Sequence, residues 1–267
     1  MEFLTIFLSS LLGLVSPAGL VLDRAALNVI RSQLTAERLE VRVDNAPSYQ
    51  LLQGKLERVR IAGRGLKLKQ QDVRIAALEL ETDPIDLDPR SLGHRQPKLK
   101  RPFQTAVHLV LAQQDINQAL QSPKVVESLL KLDIAEVGDS DDDSKQSYNL
   151  VNPRVEFLAN NRLRFQVELT QGNDLPLAIQ VESGLGVASG RQIQLVKPVI
   201  YVDREAVTQQ LVNQIATNLS QTLDLGNLDV YGLKTRILQL KVNPQKLEIV
   251  TFVRVEPSSS FLQNRRS

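Results

Sequence analysis

The strongest constraint in this chain is a period of two. Leu163, Phe165, Val167 and Leu169 interleave with Arg162, Arg164, Gln166 and Glu168, and after Gly172-Asn173-Asp174 the beat resumes at Leu175, Leu177, Ile179 and Val181. In an extended strand, alternation of this kind puts the apolar side chains on one face and the polar ones on the other. With a Gly-Asn-Asp turn between them, the two runs predict an antiparallel hairpin with one face buried and one face wet. A lone hairpin is marginal in water, so this one needs further strands and a covering layer.

The rest of the chain supplies both. Leu39, Val41 and Val43 alternate with Glu40, Arg42 and Asp44, and Val59 and Ile61 continue the pattern. Leu66 and Leu68 then sit on the opposite phase, with Gly63 and Gly65 between, where a bulge or bend would switch faces. Val73, Ile75, Leu78 and Leu80 slip in a similar way. Further strands are expected near residues 105–111, 151–158, 193–202, 235–242 and 247–255, with turns at Asn160-Asn161 and Asn243-Pro244-Gln245. Helical spacing predicts three helices. One runs over residues 23–36 on Leu27, Ile30 and Leu34, and a second over 113–130, broken or bent near Pro123. The third runs over 204–223, where Val207, Leu211, Ile215 and Leu219 recur every fourth residue. Helices set between runs of strands, without regular βαβ alternation, predict an α+β fold.

From Phe3 to Leu22 there is no charged side chain, a run long enough to cross roughly 30 Å of hydrocarbon as a helix. Three readings stay open for residues 1–22: a membrane anchor, a secretory signal with a small-x-small site at Ser16-Pro17-Ala18, or a buried helix interrupted by Gly13, Pro17 and Gly19. Against secretion, Glu2 precedes the run and the first basic residues, Arg24 and Arg31, follow it. Residues 23–257 read as a single domain, and 258–267 as a disordered tail.

The chemistry on offer is sparse. The chain has no cysteine and only two histidines, His94 and His108, which removes thiol catalysis, disulfides, thiolate metal sites and a histidine relay. No phosphate loop, nucleophile elbow or HExxH pattern occurs. Gly184, Gly186 and Gly190 sit in a strand-like context and read as a bulged strand. Asp139 to Asp143 (DSDDD) lacks the glycine and glutamate of a calcium loop. Glu79, Glu81, Asp83, Asp86 and Asp88 read as solvating carboxylates, and His108 falls on the polar phase of its strand. No catalytic residue, cofactor or metal is expected.

Two features are less ordinary. Lys55, Arg58, Arg60, Arg64, Lys67, Lys69 and Arg74 cluster against only Glu57 and Asp72. Without interleaved aromatics for base stacking, they suit anionic lipid headgroups rather than nucleic acid. The alternative is a solvated sheet face balanced by the acidic residues 79–88. In addition, residues 206–223 carry no charge, and their polar side is Gln209, Gln210, Asn213, Gln214, Asn218, Ser220 and Gln221. A polar face without charge avoids the cost of desolvating ions, so this helix is expected to be enclosed by the sheet, its aliphatic stripe facing a cavity or core.

The segment PSYQLLQGKLERVRIAGRGLKLK from Pro47, followed by DVRIAALELETDPIDLDPRSL, resembles the LmeA-like phospholipid-binding family. The resemblance rests on Leu51-Leu52 before Gly54, on Val59 and Ile61, on Gly65-Leu66, and on Leu80, Ile85 and Leu87 ahead of Asp88-Pro89. It extends over roughly residues 23–257, and the preceding SPAGLVLDRAALNVIRSQL is similar to the start of cyanobacterial members. It implies a tubular lipid-binding (TULIP, BPI-like) architecture, in which a long curved antiparallel sheet wraps around helices and encloses an aliphatic groove. It also implies a non-enzymatic protein that binds phospholipid or another acyl lipid. On this reading Leu51, Leu52, Val207, Leu211, Ile215 and Leu219 line the lipid cavity, and Arg58, Arg60 and Arg64 meet the headgroup. Residues 3–22 would hold the protein at a membrane of the cell envelope, on the periplasmic side, with the cytoplasmic face of a membrane as the alternative. Exported members carry basic residues first, whereas this chain starts with Glu2, which leaves the compartment open. The competing readings are a scaffold for an envelope assembly, with a filled core and no ligand, and, third, an enzyme acting on lipid or glycan.

Overall fold

In a computed structural model the described residues are 34–45, 48–68, 73–91, 98–130, 149–170 and 175–259. The period-two segments become strands and the longest period-four segments become helices, giving an α+β fold of curved antiparallel sheets. In chain order the elements are β1 (Leu34–Thr35), β2 (Arg38–Asp44), β3 (Lys55–Leu56), β4 (Arg58–Leu68), β5 (Arg74–Thr82), β6 (Ile85–Asp86), β7 (Phe103–Ala112), α1 (Gln113–Leu120) and α2 (Pro123–Leu130). There follow β8 (Asn149–Leu158), β9 (Arg162–Thr170), β10 (Leu177–Ala188), β11 (Gln192–Val202), β12 (Glu205–Ala206), α3 (Gln209–Thr222), β13 (Leu233–Asn243) and β14 (Lys246–Val255). Short 3-10 turns occupy Ser48–Gln53, Pro89–Ser91 and Leu225–Tyr231.

The strands form two principal sheets rather than the one long sheet the resemblance implies. The first has the order β1-β4-β5-β7-β14-β13, with β2 also beside β4, and the second the order β12-β11-β10-β9-β8. β3 and β6 make a small separate pair. The inner face of the first sheet carries the main core. Val59, Ile61, Leu66, Ile75, Leu78, Leu80, Val107 and Val253 are buried there with Leu225 and Leu228 of the last 3-10 turn. Each such aliphatic side chain contributes roughly 1.5–3 kcal/mol on burial.

The expected change of face in β4 occurs at Gly65. Val59 and Ile61 point inward on one phase and Leu66 on the other, while the β4–β5 register runs unbroken from Arg60↔Glu81 to Lys67↔Arg74. The switch is therefore a local backbone event and not a slip in pairing. Gly65 makes it at φ +57, close against the Glu37 side chain, where an added Cβ would have no room. The expected break before Pro123 is also present, since α1 ends at Leu120 and α2 begins at Pro123.

Three boundaries differ from expectation. Of the helix expected over residues 23–36, Leu34 and Thr35 are instead a strand paired with Leu68 and Lys67, because β4 offers an unpaired edge there; residues 23–33 lie outside the described residues. The helix expected from residue 204 starts only at Gln209. Asp203 and Arg204 take positive φ in a tight turn, and Glu205-Ala206 fold back onto β11. The tail expected from 258 is still packed at Ser259, which is buried and donates its hydroxyl to the carbonyl of Tyr231 at 2.8 Å. The apolar run 3–22 and the acidic run 139–143 lie outside the described residues. Among the described residues, no helix is long and apolar enough to cross a membrane.

The hairpin tips of the second sheet meet the edge of the first. The Ile237 N–H of β13 donates to the Gly190 carbonyl at 2.7 Å, and the Val242 N–H donates to Asn161 Oδ1 at 2.5 Å. Asn161, at φ 58 in the β8–β9 turn, also donates from Nδ2 to the Leu185 carbonyl at 2.6 Å. Its own carbonyl accepts from the Leu185 N–H at 3.0 Å. At the opposite margin, β8 is met by side chains of α1. Gln113 and Asn117 accept from the N–H groups of Phe157 and Val155, each at 2.6 Å, and Asn117 donates back to the Val155 carbonyl at 2.9 Å. Gln121 donates to the Pro153 carbonyl at 2.9 Å.

Candidate functional site

Cross-strand register decides which side chains share a face of the second sheet. Val155 lies opposite Phe165, and Phe157 opposite Leu163. Phe165 pairs with Val181, Val167 with Ile179, and Leu169 with Leu177. Ile179 and Val181 pair in turn with Val202 and Ile200. One face of β8 to β11 is thus apolar except at Ser183, which lies opposite Leu163 and donates its hydroxyl to the Gly184 and Val196 carbonyls. Across β8 to β10 the opposite face is largely polar and internally matched, whereas on β11 it carries the exposed Val196 and Val199, opposite Gly184 and Glu182. Arg164 bridges Glu156 at 2.7 Å and Glu182 at 3.2 Å, and Arg162 also reaches Glu182 at 3.2 Å. The hydrogen bond to Glu182, reinforced by Glu156, raises the Arg164 pKa and keeps its charge in place.

Helices flank the sheet at both margins. α1 and α2 lie against β8, where Ile116 and Leu120 pack with Val155, Phe157, Leu163, Leu185 and Val242. α3 lies against β11 at the other side. Between the helices, Val167 and Ile200 are buried, Phe165, Leu169, Ile179 and Val181 are half-buried, and Leu177 is exposed. The arrangement is a trough with an aliphatic and phenylalanine floor. Its near end is closed by the packing around Val242 and Leu247, and its far end lies at the β9–β10 and β11–β12 connections.

Of the residues expected to line a cavity, Val207, Leu211, Ile215 and Leu219 are half-buried, whereas the fully buried residue of α3 is Val212. Val207 precedes the helix and donates its N–H to the Ile200 carbonyl at 2.9 Å. Leu51 and Leu52 belong to the 3-10 turn before β3, where Leu52 is 82 % exposed. The expected enclosure of α3 is corrected. Gln209, Gln210, Asn213, Gln214, Asn218 and Gln221 are all exposed. The hydroxyls of Thr217, Ser220 and Thr222 instead donate to carbonyls four residues back in the same helix, which satisfies them locally.

Arg58, Arg60 and Arg64 lie on the outward face of the first sheet, each beside a carboxylate. Arg58 reaches Glu81 at 3.4 Å, Arg60 reaches Asp44 at 3.1 Å and Glu81 at 3.4 Å, and Arg64 reaches Glu79 at 3.2 Å. His108 continues the pattern toward Glu79 at 3.3 Å and Glu248 at 3.7 Å. This is the balanced, solvated face weighed as an alternative, and it is separate from the trough. Among the described residues, no group of three or more His, Asp or Glu is placed to hold a metal ion.

A family model of LmeA-like phospholipid-binding proteins matches residues 14–252, which takes in every strand of both sheets but the last residues of β14. The chain belongs to the LmeA-like phospholipid-binding family. Comparison with curated proteins and with solved structures gives no match. In this LmeA-like chain, periodicity alone did not place the floor residues Phe165, Ile179 and Val181 in a site. The hairpin pattern identified their face but not the two helices that leave it partly open. The hydrogen-bonding row Gln113, Asn117 and Gln121 was also missed, although its i, i+4, i+8 spacing is visible in the chain.

Proposed function

We propose that this chain is a non-enzymatic phospholipid-binding protein that lays acyl chains along the trough of the second sheet, between α1 and α3, in the manner of a tubular lipid-binding protein. The observation that carries the reading is the apolar face of β8 to β11, broken at Ser183 and left partly exposed at Phe165, Leu169, Ile179 and Val181. Membership of a phospholipid-binding family supports the ligand class. Desolvation supplies the affinity. At about 0.8 kcal/mol per buried methylene, ten covered methylenes give about 8 kcal/mol, a micromolar dissociation constant before any ordering cost. Val207, Leu211, Ile215 and Leu219 act as the yielding wall. Association with a membrane of the cell envelope, through residues 3–22, and a role in lipid transfer or envelope biogenesis are parts of the same proposal.

Mass spectrometry of lipids extracted from protein purified without detergent tests the ligand. Bound phospholipid is expected, together with uptake of a fluorescent phospholipid. The double variant Leu211→Gln/Ile215→Gln is expected to lower that uptake at least fivefold while far-ultraviolet circular dichroism stays unchanged. A lipid-free preparation that also takes up no fluorescent lipid would leave the scaffold reading in its place.

A further inference from the structure

The geometry points to the far end of the second sheet as a membrane-docking tip, where Leu175, Pro176 and Leu177 dip into the bilayer surface and open the trough to incoming lipid. This inference rests on the lipid-binding reading of the trough. Leu175 is 93 % exposed and Leu177 is 38 % exposed, with the exposed Pro176 between them. Three consecutive exposed apolar residues on one hairpin cost free energy in water and gain it at a lipid interface.

Their position supplies the second observation. Leu177 pairs with Leu169 and shares the apolar face with Ile179 and Val202, so the exposed leucines continue the floor of the trough without a polar break. The other end of the sheet is shut, because Asn161 and Gly190 bond to β13 there and Ile116, Leu120, Val242 and Leu247 fill the space above. A chain moving along the floor therefore enters and leaves past Leu177. The tip is also held in shape. Asp203 in the neighbouring turn accepts from the Ala178 N–H at 3.0 Å and donates its own N–H to the Ala178 carbonyl at 2.9 Å.

Charge decides what kind of surface the tip meets. Its described ionisable groups are Glu168, Asp203, Arg204 and Glu205, and these contain no cationic cluster. Arg58, Arg60 and Arg64, the residues that would favour anionic lipid, lie on the first sheet beside carboxylates. Docking is then apolar, works on neutral phosphatidylcholine, and is insensitive to salt, because screening acts on charge pairs and not on buried hydrocarbon.

The absence of native cysteine makes a site-specific test direct. Full-length Leu175→Cys carrying an environment-sensitive fluorophore is mixed with phosphatidylcholine vesicles at low and high salt, with Gln194→Cys, an exposed position on the opposite face of β11, as the control. A blue shift at 175 in both salts, and none at 194, is expected. The variant Leu175→Asp/Leu177→Asp is expected to take fluorescent phospholipid from vesicles at least tenfold more slowly, yet to bind a short-chain phospholipid supplied as monomer as the parent does. No shift at 175, or a shift that needs anionic lipid and vanishes in high salt, overturns the docking tip. So does a parent that is dimeric while the aspartate variant is monomeric and neither shifts on vesicles, since the leucines would then form a protein contact. A parent that binds monomeric lipid and ignores vesicles also overturns the tip but leaves the trough. Insertion at 175 without uptake of lipid from either source supports the tip and removes the trough as a lipid site.

Discussion

Asn161 shows how much one residue can carry. In the left-handed region it turns β8 into β9, and its side chain bonds both the Leu185 carbonyl and the Val242 N–H, so it joins the two sheets. Replacement by alanine strands two backbone groups and adds strain at φ 58, at a cost of about 3 kcal/mol in urea unfolding. Replacement by aspartate keeps the acceptor for Val242 and loses the donor for Leu185, so it should cost less than alanine. Glu248 gives a pH signature. The hydrogen bond from Lys246 at 2.6 Å holds its carboxyl below the usual carboxylate range, against partial burial, with Lys246, His108 and Lys241 adding favourable charge. A depressed pKa in the folded state stabilises above the ordinary carboxylate range, and this stability is lost as pH falls through the folded value. Urea midpoints measured from about pH 6 down to about pH 3 should therefore fall less steeply in Glu248→Gln than in the parent.

At the scale of elements, the two walls of the trough are held differently. α1 is pinned. Asp115, whose side chain is 4 % exposed, accepts from Arg74 Nη1 on its two carboxylate oxygens at 2.8 and 3.0 Å, and the amide row of the helix bonds β8. Arg74 is itself fixed by Glu37 at 2.7 Å, and that bond first, then Asp115, raises its pKa. Asp115→Asn should cost about 2 kcal/mol, less than the ~3–5 kcal/mol of a fully buried pair, because Arg74 keeps Glu37 and some solvent. α3 lies along β11 and buries Val212, and its hydroxyls donate to carbonyls within the helix. Native-state hydrogen exchange should find the amides of α3 opening before those of α1. Gln210→Lys/Gln214→Lys, at exposed positions, should change stability by no more than about 0.5 kcal/mol; a larger loss would restore the enclosed helix expected from composition.

At the scale of the whole molecule, the strands were legible because each needs only its own alternation. The hairpin β9–β10, the turn at Asn160-Asn161, the break before Pro123 and the face switch at Gly65 all follow from a few neighbouring residues. What could not be read is what depends on partners distant in the chain. Nothing local marks Leu34-Thr35 as a strand, because the free edge of β4 that recruits it lies about thirty residues away. The split into two sheets depends on how the tips at Asn161 and Gly190 meet β13, and no periodicity encodes that meeting. The candidate site was half legible for the same reason. The stripe of α3 is visible in its four-residue spacing, whereas nothing local to Leu51 and Leu52 shows that their turn packs beside β3.

The amide row along β8 has a consequence for solubility. A sheet with one bare hydrocarbon face and an open margin is a template on which further chains can add strand by strand, and fibrils grow in that way. Gln113, Asn117 and Gln121 occupy the backbone groups such an incoming strand would use, while leaving the neighbouring face free. Asn117→Ala/Gln121→Ala should therefore show time-dependent light scattering and thioflavin fluorescence at concentrations where the parent stays clear. On this view the molecule keeps hydrocarbon accessible to a ligand and still resists polymerising on itself, because the sheathing lies on the rim and not over the floor.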